Sequence, residues 1–224
     1  GFFVEDLSTV PVAPWARMGG NGTFINLDGS GGTCDCYVCE IPPGASLKPQ
    51  KHLFEETVLV LKGRGATTIW NEGGAKQTFE WQEGSLFAPP INTWYQHFNG
   101  QGNAPARFVS VTTAPLSFNI YRNSDFVMNN PFQFTDRFAG ESGAFTGKGK
   151  AYAARVWETN FVPDVRSFAL VPRKERGRDN NVRLELANGS MAAHISEVPI
   201  GRYKKAHRHG PGAHVIILAG KGFS

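Results

Sequence analysis

The hydrophobic positions of this chain fall into short runs, each closed by a turn. "CDCYVCEI" is followed by Pro-Pro-Gly, "TVLVLKG" leads into "ATTIW", "NEGG" reads as a hairpin turn before "KQTFEW", and "RFVSVTT" is a further β-branched run. In the second half, "NVRLELANGSMAAHISEV" alternates Val182, Leu184 and Leu186 and turns at Asn188-Gly189. Period-two patterning punctuated by Gly, Asn and Pro predicts strands joined by hairpins. No segment holds a 3.6-residue period for long, so no long helix is expected. Residues 131–165 lack regular patterning and run longer than loops inside compact domains usually do. They are expected to connect two domains, ordered by Phe132, Phe134, Phe138, Trp157 and Phe161.

At 224 residues the chain can form one large domain or two small ones. It holds 26 glycines and 14 prolines, and aromatics reach 12%, a balance that suits many short strands rather than long helices. The apolar runs are far too short to span a membrane, and no signal peptide is visible, although the chain opens on Gly1. Net charge is only +4, with one basic cluster at Arg173, Lys174, Arg176 and Arg178 that reads as a solvated loop. Nucleic acid and membrane are therefore not expected partners. The three cysteines sit together at Cys34, Cys36 and Cys39. An odd number argues against a secreted disulfide framework. On a strand, Cys36 would share a face with Cys34 while Cys39 points the other way, which does not close a tetrahedral metal site. Plain strand cysteines in a reducing, cytoplasmic setting are expected.

The chain repeats itself. Residues 42–65, "PPGASLKPQKHLFEETVLVLKGRG", align without a gap to residues 199–222, "PIGRYKKAHRHGPGAHVIILAGKG". Pro42 matches Pro199, Gly44 matches Gly201, His52 matches His209, Gly63 matches Gly220 and Gly65 matches Gly222. The apolar run 58–61 matches 215–218. Two copies of one supersecondary unit imply two related domains.

These segments resemble the first motif of the cupin superfamily, G(X)5HXH(X)3,4E(X)6G. The second motif, G(X)5PXG(X)2H(X)3N, is similar to "GSLFAPPINTWYQHFN", with Gly84, Pro90, Asn92 at the PxG glycine, Tyr95 at the histidine and Asn99. The resemblance implies an all-β fold of double-stranded β-helix (jelly-roll) barrels in two tandem copies, a bicupin. Residues 1–130 are the expected first barrel, 131–165 the connection, and 166–224 the first half of a second barrel. No second motif follows Gly222. A further segment or another chain is therefore expected to complete the second barrel.

HxH on a strand projects two imidazoles to one side, and a third ligand on the next strand can join them. The first copy departs from this pattern. Gln50 stands at the first histidine position and Tyr95 at the fourth, leaving His52 and Glu56, with His97 two residues beyond Tyr95. These five are expected to form either a weak metal site or a hydrogen-bonded polar interior that could serve as a small-molecule pocket. The second copy keeps the better set: His207, His209 and His214 lie within eight residues. His214 falls one residue late against Glu56, which aligns with Ala213, and the flexible "GPG" turn can absorb the slip. The alternative is a histidine packed on the outer face. The resemblance implies a divalent transition metal there, iron first and Mn, Ni, Cu or Zn as alternatives. It implies a small-molecule substrate, dioxygenase-like oxidoreductase chemistry and a homo-oligomer. The competing expectation is a non-catalytic binding or structural bicupin.

Overall fold

The computed structural model describes residues 1–30, 32–172, 180–205 and 212–222. Strands β1 (Ala13–Trp15), β2 (Gly20–Ile25), β3 (Asp35–Ile41), β4 (Glu56–Lys62), β5 (Arg64–Trp70), β6 (Gln77–Gln82), β7 (Leu86–Phe87), β8 (Trp94–Asn99) and β9 (Ala106–Thr112) come first. Helices α1 (Ala114–Tyr121) and α2 (Ser124–Asn129) follow. Then come β10 (Lys150–Ala153), β11 (Val156–Glu158), β12 (Phe161–Val162), β13 (Val171–Pro172), β14 (Asn180–Glu185) and β15 (Ala192–Glu197). The hairpins expected at "NEGG" and Asn188-Gly189 form, as antiparallel β5–β6 and β14–β15. The two short helices have no counterpart in the sequence pattern. α1 has a proline in its first turn and ends on a left-handed Arg122, while an Asn123 side chain caps α2 at the Phe126 N–H. Both signals are local and leave no long amphipathic period to read.

The first unit is a jelly roll of two facing sheets. One runs β1-β2-β3-β9-β4-β7-β12, the other β6-β5-β8. Between them lies an aromatic-rich core that includes Tyr37, Cys39, Ile41, Val58, Val60, Phe79, Trp81, Phe87 and Phe108. Three of its members, Phe138, Phe145 and Phe161, come from the 131–165 stretch. That stretch also supplies β12, which extends the large sheet by pairing with β7. Its phenylalanines thus fill the first unit's core while β10 and β11 join the second unit's sheet.

The large sheet is buried on both faces. Its outer face carries Ile25, Cys36, Val38, Leu59 and Val109, packed against Val182, Leu184 and Leu186 at β14 and with Ile195 and Ile216 nearby. Double burial explains why "VLVL" in β4 is a continuous apolar run: Val58 and Val60 face the barrel, Leu59 faces the second unit. Cys36 and Cys39 divide between the two faces in the same way, and burial pushes their thiols up to about 11 and about 12. The second unit is the sheet β10-β11-β14-β13, with β15 on β14. Glu55 clamps the two units by accepting from Ser190 N–H, Ser190 Oγ and Met191 N–H at 2.7–2.8 Å.

Matching glycines of the two similar segments share a backbone conformation, although the second segment forms no strand at 215–218. Gly44 and Gly201 take φ of 64° and 73°, and Gly63 and Gly220 take 91° and 89°. These left-handed values favour glycine at both copies. Asn92, at the glycine position of the second motif, keeps the left-handed conformation at φ 54°. Asparagine tolerates it, and the Asn92 amide donates to the Asn130 and Phe132 carbonyls. The copies differ in burial. Val58 is fully buried and Val60 nearly so, whereas the matching Val215 and Ile217 are 82% and 72% exposed.

Candidate functional site

The barrel interior of the first unit gathers polar groups from both sheets. Tyr37 (β3) lies opposite Ser110 (β9), and Ser110 lies opposite Val58 of β4. Two residues before Val58, on the same face, stands Glu56. Tyr95 reaches it from β8 of the small sheet, and His52 comes from the loop that enters β4. All five are buried.

The hydrogen bonds tie these groups together. Glu56 Oε1 accepts from the Tyr37 hydroxyl and from Ser110 Oγ at 2.5 Å. Glu56 Oε2 accepts from the Tyr95 hydroxyl at 2.6 Å and meets His52 Nε2 at 3.0 Å. His52 Nδ1 lies 2.8 Å from the Phe54 carbonyl oxygen, which can only accept, so Nδ1 carries a proton. Nε2 also lies 2.9 Å from the Tyr95 hydroxyl, so His52, Glu56 and Tyr95 close a three-way contact, with the His52 ring stacked on Phe54 at 3.6 Å. Burial alone would raise the Glu56 pKa. The His52 and Ser110 hydrogen bonds and the His52 charge outweigh it and bring the carboxyl down to about 2. The Tyr37 and Tyr95 hydroxyls are pushed well above the ordinary phenol value, first by burial and then by the Glu56 charge.

Of the five residues named from the sequence, three meet at this point and two do not. Gln50 turns away and donates to the Arg17 and Lys48 carbonyls. His97 joins Thr67 instead. Trp81 Nε1–H donates to Thr67 Oγ1 at 2.9 Å, and the same hydroxyl pairs with His97 Nδ1 at 2.7 Å. His97 Nε2 is buried without a partner among the described residues. The rings of Phe87, Phe108 and Tyr95 lie close, and burial brings the His97 pKa down to about 4. Tyr37, Ser110 and Thr67 escape the sequence reading, although strand parity places Tyr37 on the inward face with Cys39 and Ile41. Thr67→Val is expected to strand the Trp81 N–H and the His97 ring and to cost about 1–3 kcal/mol, read as a lower urea midpoint at unchanged slope.

Residues 37–112 match the family model described as the cupin domain. No curated protein matches the chain. Among solved structures, the chain is similar to Lactobacillus farciminis oxalate decarboxylase in its formate complex at 20% identity, over 49% of this chain and 32% of that one, with a TM-score of 0.41. It is similar to the cupin domain of Schizosaccharomyces pombe Cnp3 at 18% identity, over 54% of this chain and 81% of that one, with a TM-score of 0.41. A recombinant oxalate oxidase in complex with glycolate matches at 18% identity, over 50% of this chain and 58% of that one, with a TM-score of 0.42. The match thus spans about a third of the decarboxylase's length.

The interior of the first unit does not fit a metal ion. Both Glu56 oxygens are taken by protein donors, His52 is committed at both nitrogens, His97 is held at Nδ1 by Thr67 among aromatic rings, Tyr95 holds its proton, and Gln50 faces elsewhere. In the second repeat, His207 and His209 lie outside the described residues and His214 within them. His214 shares a face with Ile216, which packs on the outer cluster, while Ala213, Val215 and Ile217 are exposed. Its Nδ1 lies 3.7 Å from Cys34 Sγ, and its Nε2 is buried without a hydrogen-bond partner among the described residues. Burial lowers the His214 pKa against the opposing pull of Asp35, whose own carboxyl is raised by burial and accepts from Thr112 Oγ1. Among the described residues, no three His, Cys, Asp or Glu side chains are placed to hold a metal ion. An imidazole nitrogen buried without a partner fits a cation, and among the described residues His97 Nε2 and His214 Nε2 are two such atoms: His97 is enclosed by the rings of Phe87, Phe108 and Tyr95, while His214 lies beside Cys34 and Asp35. No helix among the described residues is long and apolar enough to cross a membrane.

Proposed function

We propose that this chain is a metal-dependent bicupin oxidoreductase whose chemistry lies in the second repeat, with the first cupin unit as its scaffold. His207, His209 and His214 hold a divalent transition metal, iron by preference. Such an ion supplies adjacent open positions for a small organic substrate and dioxygen, suited to a dioxygenase reaction in which both oxygen atoms enter the product and no external reductant is needed. The observation that carries this reading is His214 Nε2, buried beside Cys34 and Asp35 without a partner among the described residues, whereas Glu56 and His52 are engaged and His97 Nε2 is ringed by Phe87, Phe108 and Tyr95. The unbridged thiols of Cys34, Cys36 and Cys39 support a reducing, cytoplasmic setting.

The test is metal stoichiometry. Protein loaded anaerobically with Fe(II) and desalted is expected to retain close to one ion per chain, and His207→Ala with His209→Ala to lose it. Oxygen consumption is then screened against aromatic diols and thiols. Failure to retain iron, manganese, nickel, copper or zinc sinks the proposal. It would favour the second reading, a non-catalytic structural bicupin, which the closed first-unit interior already supports for that half.

A further inference from the structure

One end of the large sheet carries a second polar cluster, at the start of β3 and the end of β9. Cys34 lies just before β3, Asp35 begins it, and Thr112 ends β9 opposite Asp35. Against this end of the sheet lies the 212–218 segment, with Gly212 close to Cys34 Sγ and His214 Nδ1 3.7 Å from the same sulfur. Two observations need explaining. One is a thiol brought from the first unit to one nitrogen of a histidine in the second repeat, 180 residues away. The other is that histidine's remaining nitrogen, Nε2, buried with no partner among the described residues.

A neutral imidazole has one donor and one acceptor nitrogen, and whichever partner takes the donor sets the tautomer. A sulfur beside Nδ1 can accept its N–H. The proton then rests on Nδ1 and Nε2 keeps a bare lone pair. A buried lone pair without a donor is costly, and a cation is the partner that relieves it. Histidines that bind metals commonly hand their other N–H to a neighbouring acceptor in this way, which fixes the ring and strengthens the ligand.

We propose that Cys34 is a positioning residue that accepts the Nδ1–H of His214 and so presents His214 Nε2 as the metal-ligating atom, at the seam between the two repeats. This rests on the reading above that His214 is a metal ligand. It adds the ligating nitrogen and a residue from the first unit that orients it. His207 and His209 take no part in the geometric argument.

Two measurements test it. In metal-free, 15N-labelled protein, long-range proton–nitrogen correlations are expected to show His214 protonated at Nδ1; protonation at Nε2 overturns the proposal, whatever the metal result. In the second, Co(II) alone is titrated into the same chain. Cys34→Ala is expected to weaken cobalt binding about 10–100-fold, with unchanged far-ultraviolet dichroism, and Cys34→Ser to restore most of it because a hydroxyl oxygen can take the N–H. The wild-type complex is expected to lack a thiolate-to-cobalt charge-transfer band. Such a band makes Cys34 a ligand and overturns the positioning role, as does unchanged affinity in Cys34→Ala. In both cases the proposed function stands, provided His207→Ala and His209→Ala still lose cobalt. No cobalt binding by the wild type sinks the proposed function and this inference together.

Discussion

Replacing Glu56 with leucine is expected to lower the folding free energy by about 3–5 kcal/mol, because several buried polar groups lose their shared partner at once and each unsatisfied group costs about 1–3 kcal/mol. The hydroxyls of Tyr37, Ser110 and Tyr95 would lose their acceptor and His52 Nε2 one of its contacts, all inside a closed core. Small domains are stable by only about 5–15 kcal/mol, so this single change consumes a large share of the total. The same reasoning predicts a partial recovery. In the triple variant Glu56→Leu, His52→Leu and Tyr95→Phe two of the four stranded groups are gone, those of Tyr37 and Ser110 remaining, and removing both partners of a buried hydrogen bond is often nearly neutral. Denaturant unfolding of the single and triple variants decides it. A triple variant no more stable than Glu56→Leu shows that packing, not hydrogen-bond satisfaction, sets the cost.

That network is also where the sequence stops being readable. The strands and the repeat are legible because side-chain parity and turn residues are local: β3, β4, β5, β6, β9, β14 and β15 all lie on runs visible in the sequence. The motif positions are legible too, since spacing places Gln50, His52, Glu56 and Tyr95. Which of them touch is not. Tyr37 and Ser110 reach Glu56 from strands far apart in sequence, and only β3–β9 and β4–β9 pairing brings them there. Gln50 and His97 have the right residue type and parity, yet backbone carbonyls nearer to Gln50 and a hydroxyl nearer to His97 claim them first. The 131–165 stretch shows the same limit. Its aromatics have no period, because they fill gaps in a core built by other elements rather than covering one face of their own. His214 depends on contacts with Cys34 and Asp35, and no alignment of the two repeats could foresee a partner outside both.

Acid is expected to unfold this protein in two stages that report two buried groups. His97 must stay neutral to remain buried, and its folded pKa is held near 4 against an ordinary 6.5. Below pH 6.5 the unfolded chain takes up a proton that the folded chain refuses. Stability therefore falls as pH drops from 6.5 to about 4. The loss is about 3 kcal/mol, since a tenfold difference in proton affinity between the two states is worth about 1.36 kcal/mol. Glu56 acts in a lower window. Its folded pKa is depressed to about 2 from 4.5, so its contribution is complete above 4.5 and is lost as pH falls towards 2. That loss is again about 3 kcal/mol. Together these exceed the effect of most single substitutions and approach the lower end of total domain stability. Urea midpoints measured across this range should slope downward on acidification in both windows. His97→Phe should flatten the curve between pH 6.5 and 4 and leave the lower window intact. Glu56→Gln should do the reverse, because an amide does not titrate. A wild-type profile that is level from pH 7 to 4 would mean that His97 meets water or another partner in the folded state, and that the closed interior described for this barrel admits solvent.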